Sequence, residues 1–302
     1  MLESPLFSIL VANYNNGKFF KDCHNSIISQ TYQNWEVIII DDASTDNSVE
    51  IIKDIIGSDN RFKLYLNAEN RGCGYTKARC VKFANGELCG FLDPDDSLIK
   101  SALEIMQREH LLNPNVSIIF SRKYICDQHL NILQESSIKK IPESKSYLTY
   151  SQHEPEHFTT FKIKYYHETI GIDSSILRCV DQDLNFKMEE VGDIKFIEDI
   201  LYNYRIHKAT LSNSGHYKAV YWHFYVIKTA SDRRNINGED VANNILTRYI
   251  SSSFQTGKDS VKQSRYYKLG YAFFNPSKVI RYLFLKIKQY KEGCKKKIIW
   301  FL

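Results

Sequence analysis

Apolar positions along the first 130 residues alternate between two periods. Continuous runs rich in β-branched and aromatic residues, FSILVANY from Phe7 and WEVIIIDD from Trp35, have the pattern of strands buried on both faces. Between them, GKFFKDCHNSIISQTY sets Phe19, Phe20, Cys23, Ile27 and Ile28 on one helical face. TDNSVEIIKDIIGS follows as a helix with Val49, Ile52 and Ile56 inward, then FKLYLNA as a strand. GYTKARCVKFANG reads as a third helix, closed by Gly86 where a C-cap belongs. ELCGFLD, SLIKSALEIMQREHLLNP and VSIIFSRKYI continue as strand, helix and strand. This alternation predicts an α/β fold, a mostly parallel sheet flanked by helices. Ligands in such sheets sit beyond the carboxyl ends of the strands. Asn13, Tyr14, Asn15, Asp41, Asp42, Asp93, Asp95 and Asp96 all fall at such ends.

From about 130 to 158 the pattern gives way to a polar stretch, LNILQESSIKKIPESKSYLTYSQHEPEH, expected to be a long surface loop. FTTFKIKYY restores order, VDQDLNFKMEEVG reads as a helix, and IKFIEDILYNYRIH as a closing strand. Past Gly215 the strand patterns stop. The expected division is a main α/β domain over 1–214 and a helical region over 215–302.

Length and composition bound this picture without changing it. The 302 residues, 43 % hydrophobic and 25 % charged, suffice for one large domain with an appendage. A net charge of +5 does not call for nucleic acid. The seven cysteines show no Cys-x-x-Cys spacing, which argues against a zinc site or a disulfide framework and for a reducing compartment. MLESPLFSILVANYNN carries no basic stretch ahead of its short apolar run, so it reads as a strand rather than a signal peptide. No segment approaches the ~20 apolar residues of a membrane span. The expected location is the cytoplasm, with the inner face of the membrane left open by the C-terminus. There Ile280, Leu283, Phe284 and Ile287 form an apolar stripe among Lys278, Arg281, Lys286, Lys288, Lys291 and Lys295 to Lys297. Two readings stand: a packed terminal helix with a solvated basic face, or an interfacial helix on anionic lipid, which Trp300 and Phe301 also suit.

The chemistry concentrates in acidic clusters. GFLDPDDSLI runs an apolar strand into Asp93, Asp95 and Asp96, like charges that repel unless a cation sits among them. A turn followed by a helix cap accounts for one or two of these acids. A calcium loop of the EF-hand type fails on Leu98, which stands where the turn needs glycine. A Mg²⁺ or Mn²⁺ site, made of one or two carboxylates and completed by substrate phosphates, accounts for the set. In IIIDDASTDNS, Ser44 or Thr45 reads as a cap and Asp46 as a charge complementing the helix dipole. Asp41 and Asp42 remain unexplained at the strand tip, well placed for a base N–H or a ribose hydroxyl. NRGCGYTKAR offers glycines for close approach, with Lys77 and Arg79 beside a helix start. Neither GxGxxG nor GxxxxGK[ST] is present.

Taken in order, NYNN, DDASTD, NRGCGYTKAR, ANGE, DPDD, VDQDL and YRIH (Tyr204 to His207) resemble the motifs of family 2 glycosyltransferases, which have the GT-A fold. The resemblance covers roughly residues 5–213. It departs from the family pattern at VANYN, which lacks a proline before the Tyr-Asn pair, at Cys80 in place of asparagine, and at Val180 in place of glutamate.

The resemblance implies an inverting transferase that moves a sugar from a nucleoside-diphosphate sugar, UDP by default, to a hydroxyl of a glycan or lipid-linked acceptor in cell-surface polysaccharide synthesis. It implies Asp181 as catalytic base, with Asp183 orienting it or capping the helix. It implies nucleotide contacts from Asn13, Tyr14, Asn15, Asp41, Asp42, Lys77, Arg79 and Asp93. Mn²⁺ or Mg²⁺ would be held among Asp93, Asp95, Asp96 and His207, and the diphosphate by Arg205 and His207. For His207 a strand-end histidine satisfied by backbone is an equal reading. Tyr147, Tyr150 and His153 in the 130–158 loop would face the acceptor, or the loop would be a lid. Peripheral membrane contact and a homodimer are both open. Rival readings are a sugar-nucleotide nucleotidyltransferase, which needs a glycine-rich phosphate loop where this chain has ANYNNGKFF, a non-catalytic carbohydrate- or nucleotide-binding relative, which should have lost a metal acid or the base, and a paired-carboxylate hydrolase, which would leave the nucleotide-side motifs idle.

Overall fold

The computed structural model describes residues 4–142, 145–150, 155–207, 216–238 and 241. The basic C-terminal segment, His153 and Cys294 lie outside the described residues. The chain divides into two compact units, Met1–Val226 and Ile227–Leu302. That division falls inside a helix, His216–Arg233.

The first four strands are those the apolar runs predict: β1 (Phe7–Asn13), β2 (Trp35–Asp41), β3 (Phe62–Leu66) and β4 (Leu88–Phe91). They pair in parallel in the order β3-β2-β1-β4. Every residue of β2 and all but Ala12 of β1 are buried, because helices cover both faces. α1 (Phe20–Ile28) buries Phe20, Cys23 and Ile27, and α2 (Ser48–Ile56) buries Ile52. Ile28 falls at the last turn of α1 and is 40 % exposed, outside its expected face. α3 (Cys73–Phe83) ends on Ala84 in an extended conformation. Gly86 is therefore not its cap. A Cβ there would lie 2.5 Å from the carbonyl oxygen of Leu6, so glycine is required for close backbone approach.

The second half of the sheet is mixed. β6 (Val116–Cys126) runs parallel to β9 (Asp193–Arg205) and antiparallel to β8 (Thr159–Lys162), and β8 joins it to β4. A two-residue strand, β5 (Ser97–Leu98), pairs Ser97 with Asn203 and Leu98 with Tyr202 of β9. That pairing holds the chain after the acidic cluster extended, so α4 begins only at Ala102 and runs to Leu112. The expected long loop is partly ordered: β7 (Ile132–Glu135) pairs with β6, and Ile138, Ile141, Tyr147 and Leu148 are buried. Glu189 holds that segment down, accepting from Ser146 Oγ at 2.9 Å and from Tyr147 N–H at 2.7 Å. A short helix, α5 (Ile163–Tyr166), follows β8, and α6 (Val180–Glu189) precedes β9. α7 (His216–Arg233) reaches α6 through His223 and Gln182, 2.9 Å apart. Among the described residues no helix is long and apolar enough to cross a membrane.

Candidate active site

The strand order reverses between β1 and β4, and the carboxyl ends of β1, β2 and β4 open a crevice there. Register brings Asn13 of β1 opposite Asp41 of β2. Asp41 is 1 % exposed and accepts three hydrogen bonds, from Asn13 Nδ2 (2.7 Å), Ser44 N–H (2.8 Å) and Ser44 Oγ (2.6 Å). Asp42 also accepts three, from Asn67 Nδ2 (2.6 Å), Arg71 N–H (2.9 Å) and Gly72 N–H (2.8 Å). These carboxylates are spent in fixing the two turns that frame the crevice. Ser44 consequently serves Asp41 rather than capping α2, which starts behind Asn47. Asn15 completes the frame, its Oδ1 accepting from Thr45 N–H at 2.8 Å. Tyr14 stands 46 % exposed at the rim.

Three non-glycine residues of this framework take left-handed backbone: Asn15 (φ 51°), Ala43 (φ 58°) and Cys179 (φ 61°). Such conformations cost energy and persist where the surroundings impose them, often around functional sites. Each immediately precedes or follows a turn that carries a site residue.

Lys77 and Arg79 part company. They lie two apart on α3 and so on different faces. Arg79 points outward to Leu66 O (2.8 Å) and Asn67 Oδ1 (2.5 Å). Lys77 points inward, 4 % exposed, with Nζ 2.6 Å from Asp181 Oδ1 in the first turn of α6. Burial alone would strip its proton, but the Asp181 and Asp93 carboxylates outweigh burial and raise its pKa. Asp181, pushed up by burial, is held below the ordinary carboxylate range chiefly by the Lys77 ammonium. It is 42 % exposed on its side chain, so it is anchored on one side and open on the other. Asp183 is turned away from the site into a buried pair with Lys187 at 2.5 Å. The N-cap position of α6 belongs to Cys179, not to Asp183.

The DPDD cluster separates into unlike acids. Asp96 is 1 % exposed and accepts from Tyr202 Oη (2.7 Å) and Arg205 N–H (2.7 Å). Burial, then Asp95 and Asp93, drives its pKa well up. Both of its oxygens are engaged inside the protein, which makes it an internal anchor. Asp95 presents Oδ2 to His207 Nε2 at 2.8 Å. The Asp93 carboxylate has no hydrogen-bond partner among the described residues. Its backbone N–H donates to Tyr202 Oη at 3.2 Å. The Arg205 guanidinium is engaged within the protein: Nε donates to Asp95 O, Nη1 to Gln128 O and Nη2 to Asp22 Oδ2 at 2.5, 2.6 and 2.7 Å. The Phe19 ring lies against both the Arg205 guanidinium and the His207 ring, 4.6 and 4.7 Å away.

The donor set suits a hard divalent cation that brings its other ligands along. Two carboxylates, among the described residues one without a partner and one bonded through Oδ2 to a histidine, supply hard oxygens. No group of three or more His, Cys, Asp or Glu side chains among the described residues could hold a metal on its own. Phosphate and water would have to complete such a site.

Sequence reasoning missed Tyr202, Asn67, Asp22 and His157. Tyr202 is legible afterwards in LYNYRIH, one strand period before Tyr204 and three residues before Arg205, but nothing local marks it as bonded to the acids. Asn67, at the tip of β3, follows the same tip rule that singled out Asn13.

Residues 8–181 match the family described as glycosyl transferase family 2, and the chain belongs to it. The chain is 28 % identical over 239 residues to a chondroitin synthase of Pasteurella multocida, an alignment covering 77 % of this chain and 24 % of that one. It is 30 % identical to an uncharacterized glycosyltransferase of Haemophilus influenzae, covering 74 % of this chain and 88 % of that one. The chain therefore spans about a quarter of the length of the synthases it resembles. Among solved structures, Staphylococcus aureus TarS residues 1–349 in complex with UDP-GlcNAc superposes with a TM-score of 0.60 at 18 % identity, over 89 % of this chain and 74 % of that one. The mannosyltransferase PcManGT from Pyrobaculum calidifontis, in complex with GDP-Man and Mn²⁺, gives 0.56 at 13 % identity, over 92 % and 83 %. The fold is GT-A.

Proposed function

We propose that the chain is a metal-dependent, inverting glycosyltransferase unit that moves a sugar from a UDP-sugar to a hydroxyl of a growing polysaccharide or a lipid-linked glycan. The observation that carries this reading is the opposition of two carboxylate types across one crevice. At the tip of β4 Asp93 has no hydrogen-bond partner among the described residues and Asp95 bonds His207 through Oδ2, while Asp181, ionised and 42 % exposed, is tied to Lys77, on which Asp93 also acts. A UDP-GlcNAc complex of TarS and a GDP-Man and Mn²⁺ complex of PcManGT, both with this fold, support the donor class and the metal.

In this reading Asp93 and Asp95, with phosphate and water completing the site, would hold a divalent cation, Mn²⁺ or Mg²⁺, which would neutralise charge on the departing diphosphate, and His207 would orient Asp95. Asn13, Asn15, Asp41 and Asp42 shape the nucleotide pocket, and Tyr14 offers an exposed ring at its rim. Asp41 and Asp42 act chiefly through the turns they fix. Asp181 accepts the proton of the attacking hydroxyl. Lys77 keeps Asp181 ionised and fixes its direction, which restricts the line of attack. The non-catalytic alternative is disfavoured because the acids that chemistry needs are present and unspent.

Thermal unfolding of the full chain with UDP, GDP, dTDP or CDP, each with and without Mn²⁺, tests the reading. A ligand at 100 times its Kd adds about 2.7 kcal/mol, several degrees for a chain of this size. A metal-dependent rise with UDP is expected. A rise with none of the four overturns the reading.

A further inference from the structure

Among the groups beside the crevice, one polar side chain has no assigned work. His157 stacks on the buried Tyr202 ring with centroids 5.2 Å apart and planes 22° from parallel. Tyr202 in turn bonds Asp96 and the backbone of Asp93, which leaves His157 one side chain away from the metal acids. Asp93 and Asp181 are the two anionic charges that act on it. The segment around it is pinned rather than loose. Glu156 accepts from Ser136 Oγ at 2.7 Å and faces Lys123 Nζ at 3.6 Å. Phe158 is fully buried, and its N–H donates to Ser121 Oγ at 3.2 Å.

The imidazole itself is unspent. Nδ1 is buried without a hydrogen-bond partner, and Nε2, which reaches solvent, has none among the described residues. Leaving a buried nitrogen unpaired costs about 1–3 kcal/mol, whereas a phenylalanine would stack on Tyr202 without that cost. Orphaned N–H groups are rarer in proteins than under-satisfied acceptors. The inward Nδ1 therefore carries the lone pair, and the outward Nε2 carries the hydrogen. Burial lowers the pKa further than the two acids raise it, so the ring stays a neutral donor.

We propose that His157 is the acceptor-positioning residue of the transfer site: its Nε2–H donates to a hydroxyl of the acceptor sugar and so directs the neighbouring hydroxyl to Asp181. This inference rests on the transferase reading above. The acceptor side is favoured over the donor side by topology. The turns that frame the nucleotide pocket lie at the tips of β1, β2 and β3, whereas His157 enters ahead of β8, on the opposite side of β4. The nearby Asp181 is the group an acceptor hydroxyl must reach.

The test compares wild type with His157→Phe and His157→Gln, in the full chain. Release of UDP from a panel of UDP-hexoses and UDP-N-acetylhexosamines is measured with Mn²⁺, against p-nitrophenyl glycosides as acceptors. His157→Phe keeps the stacking partner of Tyr202 and removes the donor. The expected result is a KM for the glycoside raised about three- to tenfold, the loss of one neutral hydrogen bond. The melting temperature, the UDP-induced rise in it, and the KM for the UDP-sugar should be kept. His157→Gln, which restores an N–H, should recover part of the loss. An unchanged acceptor KM in His157→Phe overturns the inference. So does a parallel loss of UDP binding, which would mean that the ring serves the donor or merely supports Tyr202. A wild type that binds UDP but is stimulated by none of the glycosides also counts against it. A wild type that binds none of UDP, GDP, dTDP or CDP instead brings down the transferase reading beneath it.

Discussion

Two acidic clusters sit at strand tips on the same edge of the sheet, and the fold treats them in opposite ways. Asp41 and Asp42 accept six hydrogen bonds between them, all from the chain itself. In the second cluster, Asp96 is spent in the same manner, while among the described residues Asp93 bonds nothing through its carboxylate and Asp95 only His207. The difference teaches what a carboxylate is for. One that is saturated with internal donors builds a turn. One left open in a crevice, beside a buried cation such as Lys77, is held ready for something that arrives.

The largest effect expected from this contrast concerns chemistry. Asp181→Asn should lower transfer by about 10²–10⁴-fold, measured as UDP release with acceptor, and leave the UDP-induced thermal shift in place. Transfer at wild-type rate would put the base elsewhere. Asp183→Asn, two residues on, should behave in the contrary way. Breaking its buried pair with Lys187 should cost about 3–5 kcal/mol of stability, read in urea unfolding. A stable Asp183→Asn that is inactive would reverse the assignment of the two acids.

Next comes the contrast between the clusters themselves. Asp42→Ala leaves two backbone N–H groups and the Asn67 amide without their acceptor, and should cost about 2–4 kcal/mol. Asp93→Asn should change stability by less than about 0.5 kcal/mol yet abolish the Mn²⁺ dependence of UDP binding, followed by titration calorimetry. If both variants lose stability equally, the distinction between spent and open acids fails.

The smallest effect is a slope. His110 of α4 is fully buried against β8; Thr160 Oγ donates to Ile119 O and accepts from His110 Nε2 at 2.9 Å. Burial, then Lys162, pulls its pKa down to about 3, from 6.5 when unfolded. The unfolded chain therefore binds the extra proton between those values. The stabilisation is complete above pH 6.5 and is lost as pH falls towards 3, by about 1.4 kcal/mol per pH unit. His110→Leu should flatten that limb in thermal unfolding between pH 6.5 and 4. An unchanged limb would assign the acid sensitivity to the carboxylates instead.

Much of the first half was legible because its signals are local. A continuous apolar run can only be a strand covered on both faces, and an acid directly after it must lie at the strand tip, so Asp41, Asp42 and Asp93 were placed by pattern alone. The second half was less legible because its decisive contacts join distant residues. β5 is two residues long and exists only because β9 runs beside it. The segment 130–158 is polar on average, yet Ile138, Ile141, Tyr147 and Leu148 find cover that no periodicity announces.

By itself, then, the sequence determined the order of strands and helices, the edge of the sheet that carries the chemistry, and the residue types gathered there. These follow from hydrophobic period and composition, which are properties of short stretches. Only the tertiary structure decided which charge meets which. It sent Lys77 to Asp181 and Arg79 away, closed Asp96 onto Tyr202, turned Arg205 to Asp22, and left Asp93 open beside His157. The physical reason is range. The energy of a hydrogen bond or an ion pair depends on ångström distances between groups some 100 residues apart along the chain, as for Lys77 and Asp181, and no local pattern records those distances.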